Sequence, residues 1–145
     1  RHEATDATHE AQFYQLEGLM VGADVSLGNL KAVLEAFFRR LLGSAKLAVR
    51  FRPSYFPFTE PSVETMLTCF VCVGKGCLVC RKTGWIEMGG AGMVHPNVFR
   101  TVGIDPREWQ GFAFGLGLDR VAMMQYGIDD IRLLYSGDMR FLKQF

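Results

Sequence analysis

Apolar positions keep helical time in only one long stretch of this chain. Leu27, Leu30, Val33, Leu34, Phe37, Phe38, Leu41 and Leu42 recur at three-and-four spacing, with Lys31, Glu35, Arg39 and Arg40 largely on the other side. That rhythm predicts an amphipathic helix whose job is to cover a sheet. Ser26 stands where an N-cap accepts from first-turn amides, and Gly43 where a left-handed residue ends the helix. Elsewhere the alternation is strand-like. Residues 1–21 read as a hairpin turning around residues 5–10, with Phe13, Gln15 and Glu17 on one face of the second arm and Tyr14 and Leu16 on the other. Residues 47–52 alternate until Pro53 and Ser54, which are expected to break the chain before residues 55–60. Phe56, Phe58 and Glu60 share a face there, and Pro57, with no amide hydrogen to give, predicts an irregular or edge segment. Residues 67–86 predict an inserted loop module. A glycine-rich turn is expected at Gly89-Gly90-Ala91-Gly92, followed by a short apolar segment to Val102. Residues 111–117 predict a strand, the run from Leu118 a helix that Gly127 ends, and residues 130–145 a short helix or tail.

Length and composition narrow the class. A chain of 145 residues and 16.3 kDa is one domain's worth, and 49% hydrophobic against 21% charged residues argues for a packed core. A formal charge of +1 excludes a protein that holds nucleic acid by bulk electrostatics. No apolar run approaches the roughly 20 residues of a membrane span, and no signal pattern leads the chain, so the expectation is a soluble, cytoplasmic protein without a membrane partner. A start at Arg1, in polar strand-like sequence, suggests a fragment of a longer polypeptide.

Two regions carry chemistry. Along residues 111–117, Gly111, Ala113, Gly115 and Gly117 form a nearly bare face opposite Phe112, Phe114 and Leu116. Such a strip lets a flat ligand lie on the backbone, and Arg120, in the first turn of the next helix, can reach back over it; close helix packing beside a surface arginine is the plainer alternative. In the first seventeen residues Arg1, Glu3, His9, Phe13, Gln15 and Glu17 bring together phosphate-binding cations, acids and a stacking ring. Solvated hairpin charge explains the tip but not why Phe13 shares a face with Gln15 and Glu17.

The cysteines add a third region, Cys69-x2-Cys72-x4-Cys77-x2-Cys80, two paired-thiolate hooks around Gly74 and Gly76. Four thiolates select zinc or iron, the spacing does not fit the usual ferredoxin run, and four protein ligands make the role structural; reduced free thiols or disulfides remain the other readings.

Arg1-His2-Glu3, Thr8-His9-Glu10 and Gln15-Leu16-Glu17-Gly18 resemble motif 2 of class II aminoacyl-tRNA synthetases, and residues 111–120 resemble motif 3. Between them Arg50-Phe51-Arg52-Pro53-Ser54-Tyr55-Phe56-Pro57-Phe58-Thr59-Glu60-Pro61 and Gly92-Met93-Val94-His95-Pro96-Asn97 resemble the bacterial phenylalanyl-tRNA synthetase alpha subunits. The resemblance covers nearly the whole chain in order. It implies an α+β fold, the class II catalytic domain with a mostly antiparallel sheet flanked by helices, here truncated to the stretch between motifs 2 and 3 (residues 1–145), with a small inserted four-cysteine zinc module at residues 67–86. It implies ATP-dependent activation of phenylalanine and its transfer to tRNA(Phe), within an alpha2-beta2 enzyme whose beta subunit is a partner.

Site roles follow from the same resemblance. Arg1 would hold the α-phosphate, His9 the distal phosphates, and Phe13 and Arg120 the two faces of adenine, with Arg1 and Arg120 serving catalysis. Glu3 would accept from an amino group of adenine or substrate. Gln15 and Glu17 would receive the substrate's ammonium, Phe56 and Phe58 would meet its ring edge-to-face, and Ala113 and Gly115 would line the ring pocket, Ala113 limiting space at the para position. Glu60 would bind Mg2+ jointly with the beta subunit, and Cys69, Cys72, Cys77 and Cys80 would bind Zn2+. Two rival readings are a non-catalytic zinc module, since Cys69-x2-Cys72-x-Gly74-x-Gly76 also resembles one repeat of the DnaJ-type chaperone module, and a synthetase-like paralogue that binds amino acid or nucleotide without charging tRNA. The fragment alone is expected to be inactive.

Overall fold

The computed structural model describes residues 1–2, 4–43 and 48–145. Its centre is a five-stranded sheet in the order β1-β5-β4-β3-β2. The strands are β1 (Gln15–Gly22), β2 (Val49–Phe56), β3 (Thr59–Thr68), β4 (Trp85–Val94) and β5 (Gln110–Gly117), and every neighbouring pair is antiparallel. Helix α1 (Leu27–Leu42) covers the sheet by burying Leu30, Leu34 and Phe38 against Leu67, Met88, Phe112 and Leu116. Each of those three side chains stabilises the fold by roughly 1.5–3 kcal/mol through area removed from water. Its ends are as expected from sequence. Ser26 and Asn29 cap each other reciprocally, and Gly43, at φ +57°, donates its amide to Arg39 O at 3.2 Å.

A short helix α2 (Pro96–Thr101), capped by His95, occupies the segment read as merely apolar. Helix α3 (Leu118–Tyr126) leaves β5 directly and ends at Gly127. Two single-turn helices, α4 (Arg132–Tyr135) and α5 (Met139–Leu142), close the chain, where Ile128, Ile131 and Phe141 form a second apolar cluster with Met123.

Several expectations are corrected. The hairpin expected over residues 1–21 is found only at its turn: among the described residues the first arm makes one bridge, Asp6 with His9, where Asp6 accepts from the Thr8 amide at 2.7 Å and hydroxyl at 2.9 Å, and the second arm, β1, pairs with β5 instead. Pro53 does not break the chain: β2 runs through it, because β2 is an edge strand and a missing amide hydrogen on the open side costs no ladder bond. The chain turns instead at Pro57 and Phe58, between the paired Phe56 and Thr59. The cysteine segment is the β3–β4 connection, and the outer residues of the 67–86 interval belong to strands, since Leu67 pairs with Ile86 and Thr68 with Trp85.

Gly89-Gly90-Ala91-Gly92 is no turn but the middle of β4, paired with β5 on one side and β3 on the other. The glycines answer crowding across the sheet. A Cβ on Gly89 would stand 1.8 Å from the Gly115 carbonyl oxygen, and one on Gly92 2.6 Å from the Pro61 oxygen. Gly111 also leaves the bare strip, since its absent Cβ is replaced by contact with Met20 O and the Phe99 ring.

Asp119 fastens β1 to the C-terminal helices. It is buried, accepting from the Tyr14 amide at 2.7 Å through Oδ2 and from the Tyr135 hydroxyl at 2.6 Å through Oδ1. Burial first, and then this bond to Asp119, raise the Tyr135 hydroxyl above its ordinary pKa. Two measurements follow. Gly89→Ala should destabilise by roughly 3 kcal/mol or more, since backbone rather than a flexible side chain must move, and should be read from the midpoint of urea unfolding. Asp119→Ala, which orphans two donors, should cost about 2–4 kcal/mol in the same assay, with Asp119→Asn intermediate.

Candidate active site

A cavity of about 460 Å³ opens over the face of the sheet formed by β4, β5 and the start of β1. Its floor is set by register: Gly90 lies opposite Gly115, so no Cβ rises from either member of the pair. The vacated space is used. A Cβ on Gly115 would stand 2.7 Å from Glu17 Oε1, and one on Gly90 2.7 Å from the Phe56 ring, so these glycines admit the site's own side chains rather than leaving a bare platform. Only beside Gly117 is the floor open, with Arg120 carbons and the Met88 oxygen at 3.8 Å.

One end of the cavity is cationic. Arg120 bends back along the floor and donates to Glu87 O at 2.5 Å and to Thr8 O at 3.4 Å. Its Nη2 lies 3.3 Å from His9 Nε2, and His9 Nδ1 lies 2.9 Å from Asp6 Oδ1. With the Nδ1 proton given to Asp6, Nε2 is left to accept from Arg120. Arg1 places its guanidinium 4.6 Å from the Phe13 ring centroid and donates to Gln15 Oε1 at 3.3 Å. One face of Phe13 is therefore covered by Arg1, as a cation over a ring.

The other end is apolar. Phe56 and Phe58 flank the β2–β3 turn with centroids 6.0 Å apart and planes at 14°, stacked on each other, and Ala113 and Phe114 border the same space. Glu17 lies between the two ends. Thus Arg1, His9, Phe13, Gln15, Glu17, Phe56, Phe58, Ala113, Gly115 and Arg120, widely separated in the sequence, border one cavity. Glu60 does not border it; it is an exposed acid 3.3 Å from His95 Nε2. Glu3 lies outside the described residues. Sequence reasoning missed Thr8, Glu87 and Gly90, whose carbonyls or bare Cα carry the role, and Asp119, whose buried position beside Arg120 signalled nothing without the partner at Tyr14.

The four cysteines converge in the β3–β4 connection, all sulfurs within 4.8 Å of one another, with Cys69–Cys77, Cys72–Cys80 and Cys77–Cys80 each at 3.7 Å. Thiolates at about 2.3 Å from a zinc ion in tetrahedral array stand about 3.8 Å apart, whereas disulfide sulfurs stand about 2.05 Å apart. All four are free thiols, and the donor set fits a tetrahedral thiophilic cation. Backbone amides complete the fit: Gly76 N–H points at Cys72 Sγ at 3.1 Å, and Cys77 and Gly84 N–H at Cys80 Sγ at 3.1 and 3.2 Å. At Cys80 burial works to raise the thiol, but these amides and the neighbouring cysteines outweigh it and bring it down to about 6; at Cys69 burial dominates and pushes the thiol up to about 12. A cation bound there would supply the charge that deprotonates a thiol such as Cys69. Among the described residues this is the only group of three or more potential metal ligands.

No helix is long and apolar enough to cross a membrane. Comparison with known proteins agrees with the geometry. The chain is 60% identical over all of its 145 residues to the phenylalanine–tRNA ligase alpha subunit of Limosilactobacillus reuteri (strain DSM 20016), of which it covers 41%. To the same-named subunit of Streptococcus pyogenes serotype M49 it is 57% identical, covering 42%. The chain thus spans about two fifths of the length of these curated relatives. Among solved structures, the pyrrolysyl-tRNA synthetase of Desulfitobacterium hafniense superposes with a TM-score of 0.55 at 17% identity, over 91% of this chain and 40% of that one, a likeness of fold. Residues 1–145 match the family described as tRNA synthetases class II core domain (F), and with a glycine-paired antiparallel sheet beneath a cavity cationic at one end and aromatic at the other, the chain belongs to that family.

Proposed function

We propose that this chain is catalytic machinery of a phenylalanine–tRNA ligase alpha subunit, acting in the cytoplasm within an alpha2-beta2 enzyme. It activates phenylalanine with ATP and passes the phenylalanyl group from the adenylate to tRNA(Phe). The observation that carries this reading is the polarity of the cavity: Arg1, His9 and Arg120 at one end, the stacked Phe56 and Phe58 at the other, and Glu17 between them. A triphosphate and an amino acid with an apolar ring need those two ends side by side.

In the first step a phenylalanine carboxylate oxygen attacks the α-phosphorus, the bond to the bridging oxygen breaks, and pyrophosphate leaves with its charge. The chain's contribution is to bring two anions together and hold the charge that develops. Arg1 binds the α-phosphate, and the contact between His9 and Arg120 opens to take the distal phosphates and the base. Phe13 stacks on adenine with the face that Arg1 leaves open, and Arg120 closes above the open floor at Gly117. Glu3 accepts from an amino group in the same site. Glu17, with Gln15, accepts from the substrate ammonium, which must find oxygen acceptors once it leaves water. Phe56 and Phe58 contact the ring, over Gly115, and Ala113 meets its para position. Mg2+ would screen phosphate charge when bound with ATP; Glu60, outside the cavity, would hold a Mg2+ jointly with the beta subunit. Cys69, Cys72, Cys77 and Cys80 hold a structural Zn2+.

In the assembled enzyme, ATP–pyrophosphate exchange should depend on phenylalanine and on no other amino acid, and Arg120→Ala should lower its rate by about a hundredfold or more. Exchange with no amino-acid dependence would refute the assignment. Ala113→Gly should admit para-chlorophenylalanine, read as incorporation into aminoacyl-tRNA; continued rejection counts against Ala113 at the para position. For the cysteines, the purified protein should carry about one zinc per chain, and its removal should raise amide exchange across residues 69–84 while the β1–β5–β4 ladder stays protected. Protein that is metal-free yet fully protected there would rule the site out.

A further inference from the structure

The cysteine connection does not stand apart from the cavity. Arg81, between Cys80 and Lys82, donates from Nη2 to Asp6 Oδ2 at 2.9 Å, and the same nitrogen lies 3.5 Å from His9 Nδ1. Asp6 Oδ1 in turn holds His9 Nδ1 at 2.9 Å, and His9 Nε2 faces Arg120. A continuous polar chain thus runs from the cysteine cluster to the cationic end of the cavity.

Arg81 can reach Asp6 because of how the cysteines fold their loop. Arg81 and Lys82 have φ of +50° and +63°, left-handed backbone that residues with long side chains rarely adopt. Bonds within the knuckle hold it: Arg81 N–H to Leu78 O at 3.0 Å, Lys82 N–H to Cys77 O at 2.7 Å and Thr83 N–H to Cys80 O at 3.0 Å. Four of the residues in these bonds, Cys77, Leu78, Cys80 and Arg81, are metal ligands in the reading above or stand next to one. Gathering the cysteines brings Cys77 and Cys80 to where these bonds can form, and the Thr83 hydroxyl, donating to Cys80 O at 2.6 Å, adds to them. At Asp6 burial works to raise the carboxyl, but bonds from His9, the Thr8 amide and hydroxyl, and Arg81 prevail and hold it well below the usual carboxylate range. Asp6 is thus a fixed anion against His9.

We propose that Arg81 is a positioning residue through which the folded cysteine knuckle holds Asp6 and His9 in place for the phosphates of ATP; this rests on the reading of the cavity as an ATP site. Arg81 itself does not border the cavity. The pair is exposed, with side-chain accessibilities of 69% for Arg81 and 45% for Asp6, so its effect is severalfold rather than orders of magnitude.

The test is made in the assembled enzyme by pyrophosphate exchange in excess Mg2+. Arg81→Ala should raise the KM for ATP about three- to fivefold, with kcat, the KM for phenylalanine and zinc content within about twofold of wild type, and Arg81→Lys should recover most of the loss. Amide exchange at residues 6–9 should rise in Arg81→Ala. Zinc-stripped wild type should match Arg81→Ala in KM for ATP, and stripping Arg81→Ala should add nothing. An unchanged KM for ATP in Arg81→Ala, or equal losses in kcat and both KM values, would overturn the proposal. Should Arg81→Ala lose its zinc, Asp6→Asn carries the same test from the other partner, and an unchanged KM there overturns it equally. Wild type without phenylalanine-dependent exchange would overturn the reading of the cavity and this proposal with it; active wild type with an indifferent Arg81→Ala would overturn this proposal alone.

Discussion

The close approach of β4 and β5 is the constraint on which the site depends. With Gly90 opposite Gly115 and Gly89 pressed against the Gly115 carbonyl, the centre of the sheet has no side chains to separate what lies above it. A Cβ at Gly115 would displace the Glu17 carboxylate, and one at Gly90 the Phe56 ring. Side chains from β1 and the β2–β3 turn, at opposite ends of the strand order, therefore meet over the same few backbone atoms. The opposite face of the sheet is filled, with Phe112, Leu116 and Met88 buried beneath α1. One helix and one pair of glycine-bearing strands thus give the sheet a dry side and an open side, and the cavity occupies the open one.

Charge at the cavity's cationic end is held in reserve by the protein itself. Arg120 is committed to backbone oxygens of Glu87 and Thr8, Arg1 to Gln15 and the Phe13 ring, and His9 to Asp6. These contacts lie at the rim of an open cavity, so a polyanion that offers several charged oxygens at once competes for the same donors. The backbone contacts keep the guanidiniums near the positions where they are needed, which reduces the reorganisation that binding must drive.

What the sequence disclosed and what it hid follow one physical division. Helix α1 was legible to its caps because Ser26 and Gly43 act within one turn of themselves; the reciprocal bond from Asn29 emerged only from the structure. The face shared by Phe13, Gln15 and Glu17 was legible because strand parity is local. The glycines of β4 were misread as a turn because their reason lies across the sheet, in Gly115 O and Pro61 O, and no local pattern announces a neighbour's carbonyl. Pro53 was misread for the same cause: whether its missing hydrogen matters depends on β2 standing at the edge of the sheet among the described residues. The turn at Asp6 was legible because its bonds are local, whereas the partner of the second arm was not: β1 pairs with β5, about a hundred residues away, rather than with the first arm. Carbonyl contacts such as Thr8 O and Glu87 O, having no side-chain signature, were beyond reach.

The position of the cysteine segment follows from the sheet as well. A connection between adjacent antiparallel strands can lengthen with little loss so long as the ladder below it is intact, because closure entropy grows slowly with loop length. The ladder is intact: Thr68 pairs with Trp85, and Cys69 N–H still reaches Gly84 O at 2.8 Å, so sixteen residues enter and leave at one point, as the interval 69–84 shows. A loop of that size without a core of its own would be loose, and Arg81 could not then be aimed at Asp6. Four sulfurs drawn to a common centre supply the missing core. The same gathering that makes the insertion tolerable to the fold also leaves Arg81 within 2.9 Å of Asp6.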